Sequence, residues 1–153
     1  MVASGTFGYA EEFKDFMDLK KLGAIVTKTI TLKPRQGNFA PRTCETPAGM
    51  LNSIGLENPG LEVFLKEKMP FLKKIGIPII VSIGSEAGAE EFVEICKKLD
   101  KISEVAAIEL NVSCPNIRGA KGEGRETKLI SQDPKDTYNL VKAARQVTNK
   151  TII

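Results

Sequence analysis

The sequence has 153 residues, 42% of them hydrophobic, and its 22 lysine and arginine residues against 19 acidic residues give a formal net charge of +3. This is enough for one domain with an apolar core, assigned to residues 1–153, and the small charge excess speaks against a nucleic-acid partner. No apolar run approaches the roughly 20 residues of a membrane span, and three cysteines without a CxxC pair predict a cytoplasmic protein with reduced thiols and no metal site.

The first third of the chain predicts two short elements and a long loop. Residues 1–8 resemble the end of a strand, and residues 11–22 have the apolar period of a helix that Gly23 ends. The β-branched run at residues 24–30 predicts a strand. Residues 31–56 are rich in proline, glycine and asparagine, and a loop of that length in a compact domain is usually functional or disordered.

The remaining chain alternates helices and strands. We predict helices over residues 59–75, 86–102 and 133–147, the last with Asp133 as N-cap and Pro134 in its first turn. Strands are predicted over residues 77–83 and 105–112, and a further strand begins at residue 151. A polar loop over residues 118–132 lies between the strand at residues 105–112 and the last helix.

Repeated strand–helix alternation indicates parallel strands joined by right-handed crossovers. A doubly wound sheet and a (β/α)8 barrel both satisfy this pattern, but no GxGxxG motif follows the first strand. Four strand–helix units and the start of a fifth strand therefore predict an α/β fold, the first half of a TIM barrel.

Polar residues stand at the predicted C-terminal ends of four successive strands, namely Ser4, Lys28, Ser82 and Asn111. In a parallel barrel these ends meet on one face, where active sites are found, so we expect a shared site. The alternative for Lys28 is a side chain that extends to solvent at the rim of the barrel.

Cys114 is the candidate catalytic base. The chain has no histidine, so proton abstraction must use cysteine, lysine, tyrosine or a carboxylate. The Cys-Pro step ends the strand, because proline has no N–H to donate, and Asn111 and Asn116 flank the thiol. These amides suit a planar, amide-bearing substrate, whereas Cys44 and Cys96 are expected to be small buried hydrophobic residues.

Four segments carry a resemblance to a known family. Residues 3–8, 27–31, 42–56 and 111–116, in this order and spacing, resemble class 1 dihydroorotate dehydrogenases. The Glu-Thr-Pro-Ala-Gly sequence at residues 45–49 is most similar to the catalytic subunit of the NAD-linked class 1B enzymes.

The resemblance implies a (β/α)8 barrel with FMN at its C-terminal face that oxidises dihydroorotate to orotate in de novo pyrimidine (UMP) biosynthesis. Cys114 would remove the C5 proton while a hydride passes from C6 to FMN. The implied substrate-binding residues are Lys28, Asn52, Ser53, Ile54, Gly55, Leu56, Asn111 and Asn116, and the implied flavin-binding residues are Ser4, Lys28, Thr29, Ser82 and Asn111. From the residues alone, Asn52 could equally be a turn asparagine.

The resemblance also implies a partner subunit that carries FAD and a 2Fe-2S cluster and reduces NAD, in a heterotetramer built on a homodimer of catalytic subunits. Residues 117–133 depart from the family, because they form a longer and more charged segment than its glycine-rich lid. The sequence also stops before the family's next flavin-contacting lysine, so we expect an N-terminal half that is inactive alone.

Two alternatives stay open at this point. One is another flavin-dependent pyrimidine reductase with an Asn-x-Ser-Cys-Pro element, such as dihydropyrimidine dehydrogenase. The other is a non-catalytic half-barrel that assembles with a partner chain.

Overall fold

The computed structural model describes residues 1–85, 87–114 and 129–153. Its strands are β1 (Ile25–Val26), β2 (Thr43–Thr46), β3 (Gly49–Asn52), β4 (Ile79–Ile83), β5 (Val105–Leu110) and β6 (Thr151–Ile152). Four of them form a parallel sheet in the order β1-β4-β5-β6, with Val26 beside Ile80 and Val81 beside Ile108. This confirms the prediction of an α/β fold with parallel strands.

The helices lie between these strands. They are α1 (Gly60–Val63), α2 (Met69–Ile75), α3 (Ala89–Asp100) and α4 (Pro134–Arg145), and a π-helical turn (Phe64–Lys68) joins α1 to α2. All three predicted helices after residue 56 are therefore confirmed, with shorter bounds. At α4 the Asp133 carboxylate accepts from the N–H groups of Lys135 and Asp136, as predicted for an N-cap.

The π-helical turn sets which side chains of this helical stretch reach the core. Phe64 and Met69 are both buried although they are five positions apart, a spacing that would put them about 140° apart on a regular α-helix. The Met69 N–H donates to the Phe64 carbonyl, and this wider turn brings the two side chains to the same face.

A single large apolar cluster joins the sheet to its helices. Phe64, Phe92 and Ile108 have no exposed surface beyond 1%, and all five residues of β4 are buried. A strand that is buried along its whole length is typical of a parallel sheet covered on both faces. No helix among the described residues is long and apolar enough to cross a membrane.

Two predictions for the N-terminal segment are wrong. Residues 11–22 form two short 3₁₀ turns, Glu11–Phe13 and Leu19–Lys21, instead of one helix, and the Phe16 side chain of the predicted apolar stripe is 84% exposed. The Phe13 ring stacks on Phe7 at 4.1 Å, and the Asp18 carboxylate accepts from the Lys20 N–H, which starts a new turn. Such local contacts compete with a continuous helix.

The predicted strand end at residues 1–8 is also absent, because this segment forms turns. A backbone hydrogen bond from the Lys28 N–H to the Gly8 carbonyl (2.8 Å) connects it to the chain that follows β1. The predicted strand at residues 24–30 is shorter, with β1 followed by an isolated bridge from Ile30 to Ile83. The predicted loop at residues 31–56 contains the antiparallel hairpin β2–β3.

Candidate functional site

A pocket of about 520 Å³ lies at the C-terminal ends of the parallel strands. Four segments line it: the N-terminal turn, the chain after β1, the hairpin with the residues that follow it, and the chain after β5. The lining residues are Ser4, Gly5, Thr6, Lys28, Thr29, Thr43, Met50, Asn52, Ile54, Gly55, Leu56, Asn111 and Cys114.

Backbone bonds bring the strand ends together beneath this pocket. The Ile30 N–H donates to the Ser82 carbonyl, and the Asn111 N–H donates to the Ile83 carbonyl (2.9 and 2.8 Å). These bonds extend the ladder beyond the strands by a residue or more on each side. The side chains that follow β1 and β5 therefore reach one pocket, as expected for ends of parallel strands.

A chain of polar side chains crosses the floor of the pocket. The Asn111 amide Nδ2 donates to Thr29 Oγ1 (3.0 Å), and Thr29 Oγ1 shares a hydrogen bond with Ser82 Oγ (2.9 Å). Ser82 is fully buried, lies behind Thr29 and does not line the pocket. These bonds hold the Asn111 amide in one orientation, and its carbonyl oxygen, which has no donor among the described residues, can accept from a ligand.

Lys28 supplies the positive charge of the pocket. Its backbone is held by the bond to Gly8, and its side chain is half-buried. It forms no ion pair with any residue in the described ranges. A partly desolvated cation without a protein counter-charge favours an anionic ligand group.

Residues 54–56 line one wall of the pocket, and the carbonyl oxygen of each residue from Ser53 to Leu56 accepts a hydrogen bond. The donors to the four carbonyl oxygens, in chain order, are Asn38 Nδ2 (2.9 Å), the Asn38 N–H (3.0 Å), Arg35 Nε and Asn58 Nδ2 (2.8 Å). The N–H groups of Gly55 and Leu56 have no acceptor among the described residues. Both residues have positive φ, 76° and 57°, so this wall has a specific backbone shape with free donors.

Nine of the residues proposed from the sequence line this pocket, namely Ser4, Lys28, Thr29, Asn52, Ile54, Gly55, Leu56, Asn111 and Cys114. The half-buried Cys114 lies with Lys28 and Asn111 in the same cavity. Ser53 is exposed, does not line the pocket, and its Oγ accepts from Asn38 Nδ2 (3.0 Å). Asn116 lies outside the described residues.

The other two cysteines differ in burial. Cys96 is fully buried on α3, as predicted, and burial raises the pKa of its thiol to about 11. The prediction for Cys44 is wrong, because Cys44 lies on β2, whose four residues are all exposed. A two-stranded hairpin has no second layer to bury it.

Sequence reasoning missed the hairpin's contribution to the pocket. Thr43 pairs with Asn52, and Met50 is two residues before Asn52 on β3, so these three side chains share one face. All three line the pocket, together with Gly5 and Thr6 of the N-terminal turn. The signal available in the sequence was the Pro47-Ala48 step between two short β-compatible runs.

Comparisons with known proteins identify the family and relatives of this chain. The model of the family described as dihydroorotate dehydrogenase matches residues 1–152. Proteins named "dihydroorotate dehydrogenase B (NAD(+)), catalytic subunit" from Geotalea uraniireducens, Geobacter sulfurreducens and Thermoanaerobacter pseudethanolicus are 45%, 46% and 46% identical to this chain over 153 residues. These matches cover 100% of this chain and 48% of each relative.

The chain thus spans about half the length of the curated relatives it matches. The family match covers almost every residue, including all four segments that line the pocket. The chain belongs to the dihydroorotate dehydrogenase family.

Proposed function

We propose that this chain forms the FMN- and substrate-binding part of a (β/α)8 barrel that oxidises dihydroorotate to orotate. One observation carries the proposal: Cys114, Lys28, Asn52 and Asn111 line one pocket with a thiol, two amide side chains and a cation that has no counter-charge within the described ranges. The names of the relatives support the same reaction.

The pocket suits a flavin on chemical grounds. The ring system of FMN offers amide donors and acceptors on one edge, and Lys28, Thr29 and Asn111 supply matching groups on the pocket floor. Ser4 adds a hydroxyl from the N-terminal turn, and Ser82 acts indirectly by holding Thr29. We therefore propose these residues as the flavin-contacting set of this chain.

The substrate is a planar ring with amide groups and a carboxylate. The side chains of Asn52 and Asn111 line the pocket and are of the type that binds ring amides, and Asn116 would add a third amide. The carboxylate would bind the N–H groups of Gly55 and Leu56, which have no acceptor in the part of the chain that the structure describes, and Lys28 supplies a positive charge to the same pocket. Ile54 supplies an apolar surface beside them, while Ser53 supports the wall from outside.

Cys114 is proposed as the base. Its Sγ, as a thiolate, would take the proton from C5 of dihydroorotate, and the electron pair of that C–H bond forms the C5–C6 double bond. When bound, FMN supplies the acceptor for the hydride that leaves C6. The half-buried position of Cys114 limits water at the sulfur while leaving it open to the pocket.

We also propose that the assembled enzyme passes electrons to NAD through a second subunit with FAD and a 2Fe-2S cluster, in a heterotetramer built on a homodimer. The relatives' names, which specify a catalytic subunit and NAD(+), support this proposal. We further propose that the 153 residues alone do not catalyse the reaction. The outer strands β1 and β6 each pair on only one side within the described ranges, so a closed barrel needs further strands.

The test is the replacement Cys114→Ala in the assembled flavoprotein, which we define as the complete barrel with FMN bound. Cys44→Ala on the exposed hairpin is the matched control. We expect the oxidation rate of dihydroorotate to fall by about 100-fold or more, because general base catalysis contributes on this scale. The visible spectrum of bound FMN should stay unchanged, and the control should retain full activity.

Unchanged turnover in the Cys114→Ala protein would contradict the assignment of the base. The same assay with the 153-residue chain checks the proposal that it is inactive alone. Preference for uracil over orotate in the wild-type protein would instead favour a different pyrimidine reductase.

A further inference from the structure

Asn38, in the segment between β1 and β2, makes three hydrogen bonds to the wall of the pocket. Its N–H donates to the Ile54 carbonyl (3.0 Å), and its Nδ2 donates to the carbonyl and hydroxyl oxygens of Ser53 (2.9 and 3.0 Å). Asn38 itself does not line the pocket. It therefore contacts the wall from the side away from any ligand.

The fit between Asn38 and the wall is close. Gly55 has φ of +76°, and a Cβ added there would lie 2.6 Å from Cγ of Asn38 and 2.7 Å from its backbone nitrogen. Gly55 thus allows both the left-handed backbone and the contact with Asn38. No side chain larger than that of glycine fits here while Asn38 keeps its position.

These bonds fix where the N–H groups of the wall point. In a trans peptide the carbonyl of one residue and the N–H of the next point in opposite directions. When Asn38 holds the carbonyls of Ser53 and Ile54, the N–H groups of Ile54 and Gly55 are directed away from Asn38. Arg35 has the same effect on the N–H of Leu56 through the Gly55 carbonyl.

We propose that Asn38 is a positioning residue for the anionic group of the substrate, an inference that rests on the proposed function. It holds the peptide units of residues 53–55 so that the Gly55 N–H is ready to bind the carboxylate before the ligand arrives. Asn38 acts through the wall and touches neither the substrate nor the flavin. Such preorganisation lowers the cost of binding, because the backbone donors need no rearrangement.

The test compares Asn38→Ala with wild-type protein in the assembled flavoprotein, with Gln36→Ala as the matched control. Gln36 is an exposed residue of the same segment and does not line the pocket. Asn38→Ala keeps the backbone bond to Ile54 and removes both side-chain bonds to Ser53 at the start of the wall. The wall is then held less firmly, so the KM for dihydroorotate and the Kd for orotate should rise by about three- to tenfold. The kcat at saturation and the FMN content should stay the same. Asn38→Asp cannot donate to Ser53 and should weaken binding at least as much.

Hydrogen–deuterium exchange provides a second measurement that needs no turnover. In the assembled flavoprotein without substrate, the hydrogen-bonded amides of residue 38 and Ser53 should exchange faster in Asn38→Ala than in wild type, while those of β4 should not change. Equal KM, Kd and exchange in the two proteins would overturn the inference. So would a parallel fall in FMN content and Tm, since that would mean a purely structural role.

The inference and the proposed function fail in different ways. A wild-type protein that binds orotate and oxidises dihydroorotate, with Asn38→Ala equal to it, overturns the assignment of Asn38 alone. A wild-type protein that does neither overturns the proposed function and the role of Asn38 with it.

Discussion

The parallel sheet and the wall of the pocket are held by different forces. In the sheet, β4 and its neighbours bury nearly all of their side chains in a cluster with α2, α3 and α4. In the segment from residue 31 to residue 58, the hairpin β2–β3 is fully exposed, and the wall is held by hydrogen bonds from three side chains, Arg35, Asn38 and Asn58.

The difference separates stability from ligand binding. Burial of apolar surface is nearly independent of direction, so the sheet tolerates small shifts of its side chains. Hydrogen bonds depend on direction, and those at residues 53–56 fix the orientation of individual peptide units. We conclude that the sheet supplies most of the folding free energy, whereas the polar contacts supply the geometry of the pocket.

The largest expected effect comes from removing a buried aromatic ring of α3 from the apolar cluster that joins the helices to the sheet. Phe92→Ala should lower the free energy of unfolding by about 3–5 kcal/mol, because Phe92 of α3 is only 1% exposed and its removal leaves a cavity. Leu51→Ala on the hairpin is the matched control, since Leu51 is 67% exposed and should cost less than about 0.5 kcal/mol. Urea denaturation measures both, and equal losses would contradict the comparison.

An intermediate effect is expected when a methyl group is added to Gly55 in the wall of the pocket. Gly55→Ala should cost at least about 1–2 kcal/mol because of its left-handed φ, and should also weaken orotate binding by displacing Asn38. Gly49→Ala at the start of β3 is the control, because its added Cβ would meet only Thr46 Oγ1, at 3.7 Å. Calorimetry of folding and of orotate binding should show both losses in the first variant and neither in the second.

The smallest effect concerns the buried thiol of α3. Because burial raises the pKa of Cys96 to about 11, its thiol ionises at a lower pH in the unfolded chain than in the folded chain. The unfolded state therefore binds fewer protons, and stability falls as the pH rises from about 9 towards 11. Cys96→Val should remove this component, which amounts to about 1–2 kcal/mol at pH 10.

Urea denaturation of wild type and Cys96→Val at pH 8 and pH 10 measures this component. Burial also raises the pKa of Tyr9, so its ionisation lowers the stability of both proteins equally as the pH rises. The difference between the two proteins should therefore isolate Cys96. A constant difference across this pH range would show that Cys96 does not contribute.

The parallel sheet could be predicted from the sequence because its strands are short apolar runs between helices of clear period. The convergence of Lys28 and Asn111 then follows from the geometry of parallel strands. Asn38 could not be found this way, because its importance depends on contacts with residues 15 positions away. The helix predicted at residues 11–22 failed because the packing of Phe7 on Phe13 overrides the local apolar period.

The π-helical turn between α1 and α2 has a consequence for changes in chain length. It holds one residue more than a regular α-helical turn while keeping Phe64 and Met69 on the same face. Deleting one residue from the solvent-facing part of this turn would restore an ordinary four-residue spacing without rotating either end of the helix. Elsewhere in the helix the same deletion would turn every following side chain by about 100° and expose Leu72 and Ile75 to water. This turn is therefore the place where a homologous sequence can lose a residue and keep the same core.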